Sequence, residues 1–256
     1  MTSPESPKAE SHHHQGKEPL DFSYLFHRQL IGELGFLLPI IVVGMSKLLP
    51  IERSSGSSML ESISAYYYTS ATAFFVGILF SLAMLLFAYR GYEGDKADRV
   101  AGKIAGISAL CVAFFPMKAP NGFSEPLWWI PWMRTAHYIS AVALFLCFIV
   151  FSLWLFRKSS VPKDRLPTDK KWRNRIYLWC GIVMIASVLW SASALLTDHD
   201  IFWPEAIALW AFAVSWLVKG QAYRKPYKAY GAVFSAVKKL GTKNILIFCL
   251  LSNTQF

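Results

Sequence analysis

Five residues in the second half of this chain have side chains suited to anion binding or acid–base chemistry. Arg134 and His137 are three residues apart, so they share one face if the segment is helical. Glu205 lies one turn inside a later apolar segment, and Asp198 and His199 precede that segment. Because Arg binds phosphate or carboxylate groups through two parallel hydrogen bonds, we predict that this set binds an anionic ligand.

The same residues are also of the types that bind metals or catalyse proton transfer. His137, His199 and Glu205 are metal-ligand types, but the chain lacks the HxxxH and HExxH spacings, so we expect no metal and no cofactor. Acid–base catalysis by His137 requires a carboxylate within hydrogen-bond reach, which a sequence does not show. The remaining alternative is that these residues, with neighbouring tryptophans, only anchor the protein at a membrane surface.

The elements that would position these residues are six apolar segments. Apolar residues make up 54% of the 256 residues and charged residues only 16%, whereas soluble domains carry about a quarter charged residues. A bilayer crossing needs roughly 20 apolar residues, and a lipid-exposed segment must satisfy its own backbone hydrogen bonds, which favours helices. The pattern predicts an all-α, polytopic membrane bundle whose six transmembrane helices span Leu30 to Leu49, Thr69 to Tyr89, Val100 to Met117, Thr135 to Phe156, Ile176 to Leu196 and Phe202 to Val218.

The distribution of positive charge predicts the orientation of this bundle. Of the 26 Lys and Arg residues, 22 fall in the N-terminal tail, the second and fourth connections and the C-terminal tail, and four fall in the alternate connections. Cytoplasmic segments carry the excess of positive charge, so we predict that both termini lie in the cytoplasm. The net charge of +10 therefore indicates contact with membrane lipids and not with nucleic acid.

The chain divides into three parts by composition. Residues 1–28 are polar and are predicted to form a disordered cytoplasmic tail without a cleaved signal peptide. Residues 29–220 form the membrane domain. Residues 221–256 are basic and partly amphipathic, with an apolar stretch at 245–251 that is too short to cross a bilayer.

Charged and small residues inside the apolar segments are further candidates for function. Glu33 in the first segment and Lys103 in the third are intramembrane charges, and they form either a site or an ion pair near the headgroups. Gly102 and Gly106 make a GxxxG pattern, which permits close helix packing. That packing is either internal to the bundle or the contact surface of a homo-oligomer.

Several aromatic and small-residue motifs resemble those of known membrane proteins. They are SISAYYYT at 62–69, FVGIL at 75–79, FAYRGY at 87–92, HYISA at 137–141 and ALWAFAVSW at 208–216. With the helix layout, they are similar to a group of small, uncharacterised bacterial integral membrane proteins and to DUF998 and Frag1/DRAM/Sfk1-type proteins. The resemblance implies a six-helix membrane protein that handles lipids or membrane proteins, and it implies no particular catalytic residues. Ceramidase and adiponectin-receptor type hydrolases differ in having seven helices and an HxxxH motif.

Together these features predict a multi-pass protein of the inner, or plasma, membrane. We expect it to bind a lipid or other anionic amphiphile at the outer leaflet. One alternative is a membrane-embedded enzyme that acts on lipid headgroups through His137. The other is a non-catalytic scaffold or complex subunit.

Overall fold

The computed structural model describes residues 18–49, 59–91, 96–159, 162, 165–197 and 199–223, with side chains from residue 24 onward. All regular structure in these ranges is helical, which confirms the predicted all-α class. Short 3₁₀ turns occupy Ser64–Tyr68 and Leu155–Arg157. The six α-helices are α1 (Glu18–Leu48), α2 (Thr72–Ala88), α3 (Lys96–Phe114), α4 (Pro131–Leu153), α5 (Thr168–Leu196) and α6 (Phe202–Lys219).

Three of these helices are long and apolar enough to cross a membrane. They are Tyr24–Leu48 within α1, Pro131–Arg157 (which extends α4 through the second 3₁₀ turn) and α5. Helix α2 is apolar but has 17 residues, a rise of about 26 Å, slightly less than a hydrocarbon core. The described part of the chain thus has the helices of a membrane protein.

Helix α1 begins well before the first predicted span. It starts at Glu18, so residues 18–28, which we predicted as part of a disordered tail, belong to a helix. The reason is a set of contacts that local polarity does not reveal: Arg28 is 7% exposed, and its guanidinium carbon lies 4.0 Å from the centre of the Tyr24 ring. The predicted tail segments 1–17 and 224–256 lie outside the described residues.

The six helices form a closed ring in chain order. Each helix packs against the next along the chain, and α1 closes the ring by packing against α6. At the closure, the Gln29 side-chain amide donates to the Gly220 carbonyl over 2.8 Å. The starts of α1, α3 and α5 therefore lie at the same face of the bundle as the ends of α2, α4 and α6, and the other helix termini lie at the opposite face.

Helices α2 and α3 approach each other through the predicted GxxxG pattern. A Cβ atom added at Gly102 would lie 2.7 Å from the Leu86 carbonyl oxygen, and one at Gly106 would lie 2.8 Å from the Ala83 carbonyl oxygen. Both glycines therefore face α2 of the same chain. A homo-oligomer that used these glycines would have to displace α2.

We call the end of the bundle with Arg28, Lys170 and Lys219 the basic end. Its core is a cluster of rings around Trp216, which is 0% exposed. The Trp216 ring centre lies 4.9 Å from that of Tyr89 and 5.0 Å from that of Phe156. The Lys170 ammonium donates to the backbone carbonyl of Phe156 over 2.9 Å, which ties the start of α5 to the end of α4.

Candidate functional site

The opposite end, which we call the site end, is organised around the segment between α1 and α2. Glu61, in the described part of this segment, docks on the start of α6: its carbonyl accepts the backbone N–H groups of Ile201 at 2.7 Å and Phe202 at 2.9 Å. Helix starts have backbone N–H groups without partners inside the helix. The Glu61 carbonyl therefore satisfies two backbone donors at the start of α6 and fixes the segment's position.

Two more side chains hold the same segment in place. A carboxylate oxygen (Oε2) of Glu205 accepts the backbone N–H of Ile63 over 2.8 Å, and the Tyr68 hydroxyl donates to the Met117 carbonyl. Burial, assisted by the carboxylate of Glu125, raises the pKa of the Tyr68 phenol. The phenol thus stays protonated and remains a donor to the segment after α3.

His137 lies in the second turn of α4 and is 2% exposed. One ring nitrogen, Nδ1, lies 2.7 Å from the Phe115 carbonyl oxygen, and the other, Nε2, lies 3.0 Å from the Ser64 hydroxyl. A carbonyl only accepts hydrogen bonds, so Nδ1 carries a proton. In the neutral imidazole, Nε2 then has a lone pair that points at the Ser64 hydroxyl and accepts its hydrogen.

An apolar cavity of about 150 Å³ lies beside this pair, between α4, α5 and α6. Ser64, His137 and Glu205 supply part of its polar wall. Val142 of α4 and Leu195 of α5 also line it, although 53% and 52% of their surfaces are exposed. The wall between α4 and α5 is thus also an outer surface of the bundle.

A second, more polar cavity of about 410 Å³ adjoins the first toward the end of the bundle. We call it the vestibule. It is lined by Arg134 and His199 together with the acidic residues Glu61 and Asp200, and it shares Ser62 with the apolar cavity. Arg134 is an exposed residue, and its guanidinium carbon lies 5.8 Å from the centre of the Tyr138 ring.

The structure thus places the predicted anion-binding residues in two adjoining spaces. His137 and Glu205 line the apolar cavity, and Arg134 and His199 line the vestibule. Asp198 lies outside the described residues. The partners of His137 are the Phe115 carbonyl and the Ser64 hydroxyl. Neither is the carboxylate that acid–base catalysis was predicted to require.

The other predicted charges lie elsewhere. Glu33 is half-buried on α1, whereas Lys103 is exposed on α3, and α2 packs between these two helices. The structure does not place them at a shared site. Within the described ranges, His, Cys, Asp and Glu side chains form no group of three that could hold a metal ion.

Sequence reasoning did not single out Ser64 or the Phe115 carbonyl as partners of His137. The serine was visible as one of several polar residues before the second span, but nothing local distinguished it from Ser62. A backbone carbonyl has no sequence signature. The contact joins residues that are 73 positions apart, so only the packing of α4 against the first loop creates it.

No protein-family model, no curated protein and no solved structure matches this chain. Its function is therefore inferred from the geometry of its own residues.

Proposed function

We propose that this is an integral membrane protein with six transmembrane helices and both termini in the cytoplasm of the cell. On that orientation, the site end faces the outer leaflet of the inner membrane. The support is the charge distribution, with 22 of 26 basic residues on the segments assigned to the cytoplasm. In this proposal the shorter helices α2, α3 and α6 also cross the membrane, beside the three long helices.

The proposed activity is the binding of a lipid or another anionic amphiphile at this end. The observation that carries it is the adjacency of a polar vestibule, which contains Arg134, to an apolar cavity. An anionic headgroup would bind Arg134, and the first carbons of its tail would enter the cavity. An apolar protein cavity of about 150 Å³ holds one benzene molecule, so only a few methylene groups fit. The rest of the tail would leave between α4 and α5, past the exposed side chains of Val142 and Leu195.

A test of the binding proposal is to measure which lipids co-purify with the full-length protein, by mass spectrometry. Hydrogen bonds to charged groups contribute about 1.5–3 kcal/mol, so Arg134→Gln should reduce the bound anionic amphiphile about tenfold or more. Lys47→Gln is the matched control, since Lys47 is an exposed basic residue at the end of α1 and outside both cavities. Equal lipid content in both variants would refute the proposed role of Arg134.

The topology has a separate test. Alkaline phosphatase is active only outside the cytoplasm, so its activity in a fusion reports the side of the membrane on which the fused residue lies. Phosphatase should be active when fused after residue 124 and inactive when fused after residue 164 or at the C-terminus. A phosphatase-active C-terminal fusion would overturn the proposed orientation.

Two other functions were predicted as alternatives. A scaffold or complex subunit would present an apolar or small-residue face to lipid and would have no polar cavity, whereas Gly102 and Gly106 face α2 and the vestibule is a polar cavity. A membrane-embedded enzyme is favoured by one specific observation, the hydrogen bond between Ser64 and His137.

A further inference from the structure

We propose that Ser64 is a nucleophile, that His137 is its general base, and that the pair cleaves or transfers the acyl group of a carboxylic ester. The inference rests on the proposed function, because the substrate is an ester-linked amphiphile bound in the cavity and the vestibule. It assigns a reaction to a site that otherwise only binds. Its support comes from the geometry of the pair, its position on the cavity wall and the neighbouring donors.

The geometry of the pair matches the needs of a serine nucleophile. A serine hydroxyl is weakly nucleophilic unless an adjacent base takes its proton, and the base must be held in one tautomer by a third group. Here Nε2 of His137 lies 3.0 Å from the Ser64 oxygen, and the Phe115 carbonyl holds Nδ1–H at 2.7 Å. The carbonyl takes the orienting role that a carboxylate has in other Ser–His sites.

The position of the pair also differs from that of a serine whose hydroxyl only donates to a buried backbone carbonyl. Ser152, which is 0% exposed, donates to the Tyr177 carbonyl inside the basic end. Ser64 instead lines the apolar cavity together with His137. An ester carbonyl between a headgroup in the vestibule and a tail in the cavity would lie beside the Ser64 oxygen.

The reaction follows from these positions. The Ser64 oxygen attacks the ester carbonyl carbon while its proton moves to Nε2 of His137. The bond from that carbon to the alcohol oxygen then breaks, the alcohol leaves with the proton from Nε2, and an acyl-Ser64 ester remains. Water, or a second alcohol, gives its proton to Nε2 and attacks the acyl carbon. The bond from the acyl carbon to the Ser64 oxygen then breaks, and Nε2 returns its proton to that oxygen, which restores the Ser64 hydroxyl and releases a carboxylic acid or a new ester.

The negative charge on the carbonyl oxygen needs a hydrogen-bond donor. The Ser62 hydroxyl, which also lines the cavity, donates to the sulfur of Met117 over 3.3 Å. A thioether is a weak acceptor, so turning this hydroxyl toward an oxyanion loses little. One such donor accounts for about 10²–10³-fold in rate in other acyl-transfer enzymes.

The test uses a long-chain alkyl fluorophosphonate, which phosphonylates activated serines and releases fluoride. Full-length protein in phosphatidylcholine–phosphatidylglycerol nanodiscs should be modified at Ser64, as located by peptide mass spectrometry. Ser64→Ala should abolish the modification, and His137→Gln should slow it about 10²-fold or more. Two control variants should be modified at the wild-type rate. Ser70→Ala changes a nearby half-buried serine outside the cavity, and His27→Gln changes a histidine bonded to the Leu85 carbonyl at the basic end.

A second variant covers the case in which His137→Gln fails to fold. Ser64→Cys should react with iodoacetamide faster than the described free thiols of the parent chain, Cys111, Cys147 and Cys180, because His137 takes the thiol proton. Unmodified Ser64 in folded wild-type protein, or a rate that is the same with and without His137, would overturn the proposal.

The outcomes also separate this proposal from the binding proposal. If Ser64 is not modified but Arg134→Gln still loses bound lipid, only the reaction is wrong. If Ser64 is modified in a His137-dependent manner and lipid content does not depend on Arg134, the nucleophile stands and the headgroup assignment is wrong.

Discussion

A Glu205 carboxylate oxygen accepts the backbone N–H of Ile63 at 2.8 Å, which joins the first turn of α6 to the residue directly before Ser64. The same segment supplies the Glu61 carbonyl to the N–H groups of Ile201 and Phe202. The segment before α2 and the start of α6 therefore each donate hydrogen bonds to the other. The position of the Ser64 hydroxyl relative to His137 depends on this connection.

Replacement of Glu205 should separate its positioning effect from any effect of charge. Glu205→Ala leaves the Ile63 N–H without its acceptor, and loss of a buried partner costs about 1–3 kcal/mol. We expect a lower thermal unfolding midpoint and slower modification of Ser64. Glu205→Gln keeps an acceptor oxygen and should restore most of both. If Glu205→Gln is as impaired as Glu205→Ala, the negative charge itself is required.

Filling the cavity should reduce amphiphile binding without loss of the fold. Ser191 lines the apolar cavity from α5, so Ser191→Phe should occupy the space that a tail would use. Ala186 lies on the same helix and is exposed, so Ala186→Phe is the matched control. Lipid content should fall several-fold in the first variant only. Unchanged lipid content in Ser191→Phe would exclude the cavity as the tail site.

The α2–α3 contact should be sensitive to a single methyl group. A Cβ at Gly106 would lie 2.8 Å from the Ala83 carbonyl oxygen, whereas one at Gly77 meets nothing within 4 Å. Gly106→Ala should therefore destabilise the fold by about 1–3 kcal/mol, whereas Gly77→Ala, inside helix α2 and without a clash, should stabilise it by up to about 1 kcal/mol. Unfolding in increasing dodecyl sulfate measures both. Equal stability of the two variants would contradict the described helix contact.

The aromatic cluster at the basic end should contribute strongly to stability. Trp216 is 0% exposed, whereas Trp179 on α5 is 65% exposed. Truncation of a buried Trp to Ala costs about 3–5 kcal/mol because it leaves a cavity. Trp216→Ala should markedly lower the thermal midpoint, and Trp179→Ala should leave it nearly unchanged. Similar midpoints for both would show that the cluster is not the core of this end.

The site residues were predictable only in part from the sequence. Topology alone grouped Arg134, His137 and Glu205, because helix ends on one side of a bundle must meet. The division into vestibule and cavity was not predictable, since it depends on how α4, α5 and α6 tilt against one another. The predicted pairing of Glu33 with Lys103 stays a prediction, since the helices that carry them each pack against α2.

The amino-acid sequence by itself determined the helical class, the membrane-type composition and the end of the bundle where polar groups gather. These follow from segment length, apolar content and charge position, which are local properties of the chain. The tertiary structure alone decided that Ser64 meets His137 across 73 positions and that the Phe115 carbonyl sets the imidazole tautomer. Both contacts depend on distances between packed elements, and such distances are set by the shapes of all the side chains between them.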